Sequence, residues 1–110
     1  LVNECSVSGI IATNTSAKRE NLTTSLEELR EIGKGGLSGK PLYTKSKDLV
    51  SYIHKKSKGT IPIIAVGGIM TPDDAKNLLN SGASLVQIYT GFIYEGPNLI
   101  KRINQSLVQD

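Results

Sequence analysis

Residues Ile61-Pro-Ile-Ile-Ala-Val-Gly-Gly68, followed closely by Thr71-Pro-Asp-Asp74, decide the fold. The run 61–66 is apolar almost without interruption, which is how a strand covered on both faces of a parallel sheet reads. Pro62 is tolerated because it stands at the strand's beginning. The glycine pair then ends the strand. Thr71 is a suitable N-cap, Pro72 suits the first helical position, and Asp73 and Asp74 put negative charge in the first turn. A helix is therefore predicted over 72–81, with Ala75, Leu78 and Leu79 on its apolar face and Gly82 as its stop.

The same grammar repeats on both sides. Gly9–Thr13 and Ser84–Tyr89 are two more apolar strands. Asp48–Lys58 reads as a helix with Leu49, Val50 and Ile53 on one face and Gly59 as its end. Pro97–Leu107 reads as another, with Leu99, Ile100, Ile103 and Leu107 facing inward. Ser25 and Glu28 match a capping box, which predicts a short helix over 25–31. After it comes the glycine-rich stretch 33–39, a long connection of the kind that carries function in compact α/β domains. Strand–helix alternation implies parallel strands joined by crossovers. A closed βα barrel takes roughly 250 residues, and this chain has 110. The pattern therefore fits either a small open sheet or the last three-eighths of a barrel. The first residue is Leu, and the opening stretch lacks the order of a signal peptide, so a cut through a longer chain is expected.

Composition narrows the function classes. With 38% hydrophobic and 21% charged residues the chain reads as globular. Its longest apolar runs fall far below the ~20 residues a membrane-spanning helix needs. The net charge of +3 is mild, and Lys55-Lys56-Ser57-Lys58 sits where a helix C-terminus favours cations. No aromatic residues interleave with the charge, so nucleic acid is not an expected partner. Cys5 is the single cysteine and His54 the single histidine. That leaves no disulfide and no zinc cluster, so no metal is expected. His54 reads as a helix-surface residue.

The polar residues gather where the strands end. Thr13-Asn14-Thr15, Gly67-Gly68 and Tyr89-Thr90-Gly91 follow the three strands, so all belong at one end of the sheet, the reactive end of βα barrels. Without a Cβ, Gly67 and Gly68 let backbone N–H groups approach a phosphate, and the following helix adds its positive dipole end. The alternative is that the glycines merely serve tight turns. Thr13-Asn14-Thr15 either meets a planar polar ligand or forms a local Asx-type turn. No general base is evident. Glu95 is the only carboxylate near a strand's C-terminal end.

Four blocks carry a resemblance: Gly9-Ile-Ile-Ala-Thr-Asn-Thr15, Gly35-Gly-Leu-Ser-Gly-Lys-Pro-Leu42, Ile61 to Gly68, and Gly82-Ala-Ser-Leu-Val-Gln-Ile-Tyr-Thr-Gly91. In this order they resemble the dihydroorotate dehydrogenase family over nearly the whole chain, and the wording resembles its class 2, the quinone-reducing, membrane-associated enzymes. The resemblance implies that residues 1–110 are the C-terminal part, about three βα units, of an FMN-binding TIM barrel. It implies oxidation of dihydroorotate to orotate in pyrimidine synthesis, with FMN as hydride acceptor and quinone as final electron acceptor. By resemblance Thr13 and Gly39, with Ser38 beside it, contact the flavin. Asn14 and Thr15 bind the orotate ring, and Gly67, Gly68, Tyr89 and Thr90 hold the FMN phosphate.

Two departures are small: Ser16 stands where many members have Thr, and Ala65 where Gly is frequent. The family's base serine, its flavin-contacting lysines and its quinone tunnel belong upstream, so no catalytic residue is expected in this chain. The implied location is peripheral, at the cytoplasmic face of the cell membrane, or at the mitochondrial inner membrane in a eukaryote. Two other readings stay open: a related FMN-dependent pyrimidine oxidoreductase such as dihydropyrimidine dehydrogenase, and a non-catalytic phosphate-binding fragment.

Overall fold

The computed structural model describes residues 1–109. Three strands, β1 (Ile10–Ala12), β2 (Ile63–Val66) and β3 (Leu85–Gln87), form one parallel sheet in the order β1-β2-β3. Ile10 pairs with Ile63, and Ile64 with Leu85. The strands are shorter than the apolar runs that announce them. Pro62 lies just outside β2, and its carbonyl accepts the Ile10 N–H at 2.9 Å.

Among the described residues five α-helices accompany the sheet: α1 (Leu26–Ile32), α2 (Tyr43–Lys56), α3 (Pro72–Asn80), α4 (Thr90–Glu95) and α5 (Asn98–Val108). Both hydroxyl caps form. Ser25 and Glu28 make a reciprocal capping box at α1, and Thr71 and Asp74 make another at α3. The second helix begins at Tyr43, five residues before the expected Asp48. Gly39 at φ 84° opens a 3-10 turn over Lys40–Leu42 that feeds straight into α2. The short α4 is an element the sequence pattern did not reveal.

Side chains alternate across a strand, and here the two faces differ. Ile63 and Ala65 are fully buried against Val50 of α2, Leu78 of α3 and Leu99 of α5. On the opposite face Ile11 is 62% and Leu85 61% exposed, so none of the described helices covers that side. The expectation of strands buried on both faces is met on one face within this chain. Three residues read as inward-facing are also exposed: Leu49, Ile100 and Leu107. Helices α2 and α5 each face the core along a narrow stripe. Val50 fills the stripe of α2, and Leu99 with Ile103 fill that of α5. His54 is exposed, as expected, and its ring lies against Gly59 and Gly82.

Candidate functional site

A cavity of about 400 Å³ opens at the C-terminal ends of the three strands. Thr13, Asn14, Thr15, Gly39, Gly67, Gly68, Tyr89 and Thr90, the eight residues singled out in the sequence, all line it. They come from four separate segments, and the sheet register brings the three strand ends together. The long glycine-rich connection supplies the fourth wall. Leu37 pairs with Ser16 through reciprocal backbone hydrogen bonds, and Thr90 Oγ1 donates to Ser38 Oγ at 3.1 Å. Farther back, the Arg19 guanidinium donates to the carbonyls of Leu29 at 2.7 Å, Gly35 at 3.0 Å and Gly33. Such charge-assisted bonds hold the connection to the end of α1.

The glycines also answer a demand from within the protein. A Cβ on Gly68 would come within 2.5 Å of the Tyr43 backbone nitrogen, and one on Gly67 would collide with Ser46. Both residues have positive φ, at 78° and 123°. They let the start of α2 press against the end of β2, so their missing side chains make room for protein. Gly39, at φ 84°, likewise lies against the Thr90 methyl. The expected contribution of the α3 dipole also changes. The Asp74 carboxylate already accepts from the Met70 and Thr71 N–H groups, both at 3.0 Å, and neither residue lines the cavity. It is α4, starting at Thr90, whose first turn faces the cavity, and helix starts leave N–H groups without intrahelical partners.

Thr13 and Asn14 differ in how they are held. The Ala12–Thr13 peptide is cis. The Thr13 hydroxyl lies 3.1 Å from Ser46 Oγ and 3.4 Å from the Val66 carbonyl oxygen. Asn14 is exposed, and its Oδ1 accepts the Thr15 N–H at 2.8 Å. Its amide nitrogen donates to none of the described residues. Neither Ser46 nor Gln87, which also lines the cavity, stood out in the sequence. The β alternation of strand three was the available signal for Gln87, since it puts that amide on the uncovered face beside Val66.

Among the described residues no carboxylate lines the cavity; its polar surface is made of hydroxyls, amides and backbone. That donor set suits an anionic or planar polar ligand. Among the described residues no group of three His, Cys, Asp or Glu side chains lies close enough to hold a metal ion. Tyr43, behind the glycine pair, donates to the Asp74 carbonyl at 3.3 Å. Burial pushes its phenol above the ordinary value, a hydrogen bond with Asn77 pulls it back, and the Asp74 charge adds to the rise.

A family profile described as dihydroorotate dehydrogenase matches residues 1–110. This chain belongs to the dihydroorotate dehydrogenase family. It is 49% identical over 115 residues to a dihydroorotate dehydrogenase (quinone) of Trichodesmium erythraeum, a match covering 99% of this chain and 30% of that one. A second such relative, from Christiangramia forsetii, is 51% identical over 99% of this chain and 31% of its own. Among solved structures, the ligand-free enzyme of Eimeria tenella superposes with a TM-score of 0.86 at 38% identity, over 98% of this chain and 29% of that one. The chain thus spans about three-tenths of the length of the relatives it matches. Its fold is the α/β portion of a TIM barrel expected from the sequence, and the bare sheet face is the side a barrel turns inward.

Proposed function

We propose that residues 1–110 form the C-terminal part of the FMN-binding barrel domain of a quinone-type dihydroorotate dehydrogenase. The whole protein would oxidise dihydroorotate to orotate, with quinone as final acceptor, in pyrimidine synthesis. The observation that carries this reading is the cavity itself: hydroxyl, amide and backbone groups from all three strand ends, with no carboxylate among the described residues to repel an anion. Thr13, Gly39, Gly67, Gly68, Tyr89 and Thr90 would hold FMN, with the phosphate near the last four. Asn14 and Thr15 would bind one side of dihydroorotate, Asn14 through its unengaged amide nitrogen. FMN, when bound, would supply the hydride acceptor.

This chain's own part is to bind and orient. The proton-abstracting serine and the quinone tunnel would lie in the remainder of the protein. Peripheral membrane association, at the cytoplasmic face of the cell membrane or the mitochondrial inner membrane, would come from there too. Among the described residues no helix is long and apolar enough to cross a membrane.

The test is an anaerobic visible spectrum of the full-length protein before and after dihydroorotate is added. Bleaching of a flavin band is the expected result. An unchanged flavin band would move the protein to a related flavin oxidoreductase, to be tried with dihydrouracil. No flavin at all would favour a non-catalytic chain. Asn14→Ala should retain FMN while turnover of dihydroorotate falls about tenfold, the effect of one lost substrate hydrogen bond.

A further inference from the structure

Behind the cavity wall, α2 brings one serine against the ends of β1 and β2. Ser46 is 0% exposed. Its Oγ lies 3.1 Å from Thr13 Oγ1 and 3.3 Å from the Val66 carbonyl oxygen. The same carbonyl already accepts the Thr13 N–H at 2.7 Å. The absence of a Cβ at Gly67 is what admits the serine there.

Counting protons shows what this arrangement does. Buried hydroxyls and carbonyls are satisfied when partners are within reach. One lone pair of the Val66 oxygen remains after the backbone bond, and two hydroxyl protons are available. If Ser46 donates to Val66, the Thr13 proton goes to Ser46. If Ser46 donates to Thr13, the Thr13 proton goes to Val66. Both arrangements spend both protons inside the wall. In either arrangement Thr13 Oγ1 keeps a lone pair with which to accept from a ligand in the cavity.

We propose that Ser46 is a positioning residue that fixes Thr13 as a hydrogen-bond acceptor, so that the site selects an O–H or N–H donor on its ligand. This rests on the reading of the cavity as an FMN site; flavin mononucleotide carries such donors on its ribityl chain and ring. Without Ser46, the Thr13 hydroxyl keeps only its longer 3.4 Å contact to the Val66 carbonyl oxygen and is held less firmly as an acceptor.

The experiment is a double-mutant cycle in the full-length protein with Ser46→Ala, Thr13→Val and both together. Its readouts are the FMN dissociation constant, from flavin fluorescence, and the position of the bound flavin's visible bands. Ser46→Ala should weaken FMN by up to about tenfold, the scale of one hydrogen bond, and shift the bands. Added to Thr13→Val it should do nothing more, because its effect passes through Thr13. An undiminished effect of Ser46→Ala in the Thr13→Val background would overturn the proposal and leave Ser46 as packing alone. If Ser46→Ala lowers the yield of folded protein, Ser46→Cys keeps the volume with a poor donor and takes its place in the cycle. A wild-type protein that binds no FMN would instead overturn the functional reading, and this inference with it.

Discussion

Helices α1 and α3 start alike and end differently. Each opens with a hydroxyl cap and a reciprocal acidic residue three positions on, and both boxes form. Yet α3 buries Ala75 and Leu78 completely, while α1 buries nothing and leaves Leu26 76% exposed. What separates them is the sequence after the cap. In α3 the apolar residues recur where the sheet waits, and Leu78 meets Ile63 and Val50 within one core. In α1 the turns fall on the long connection, and the Arg19 guanidinium tethers the helix end through carbonyls. A cap starts a helix; only burial anchors it.

The largest effect is expected on the α3 side. In the full-length protein Leu78→Ala should cost about 3 kcal/mol, since it removes a fully buried side chain from a closed core, and urea unfolding would measure it. The caps give a paired test. Thr71→Ala should cost about 1 kcal/mol of global stability. Ser25→Ala should leave the global value unchanged and raise hydrogen exchange only within α1. Equal losses at the two caps would mean that α1 is anchored after all. Arg19→Ala should speed proteolysis between residues 30 and 36 while the melting temperature holds. The smallest effect concerns Tyr43, which ties α2 to α3. Its folded-state pKa is raised, so its contribution is complete below the ordinary value of about 10 and is lost as pH rises through the folded value. Melting temperatures taken from about pH 8 to about pH 11 should fall more steeply for the wild type than for Tyr43→Phe.

Much of the site was legible because its signals are local. A polar triplet or a glycine pair directly after an apolar run marks a strand's end, and parallel strands put all their ends on one side. Thus Thr13, Gly67 and Thr90 could be assigned to a common face before any contact was known. Gly39 was different: spacing named only a glycine-rich connection, and its place came from the family resemblance. Ser46 gave no signal, because one serine inside Tyr43–Lys56 looks like any polar helix residue until the approach of α2 to Gly67 buries it.

The sequence by itself determined the order of the strands and of the helices other than α4, both hydroxyl caps, the parallel sheet and the family. Each of these follows from short-range chemistry: cap hydroxyls, glycine freedom, the period of apolar residues, or blocks of residues in order. The tertiary structure alone decided where α2 begins, that α4 exists, which of two apolar neighbours turns inward, and why the glycine pair lacks side chains. Those outcomes depend on what a distant segment places opposite. Val50 is buried and Leu49 exposed because the sheet touches one narrow stripe of α2, and Gly68 must be bare because Tyr43 arrives there from 25 residues earlier in the chain.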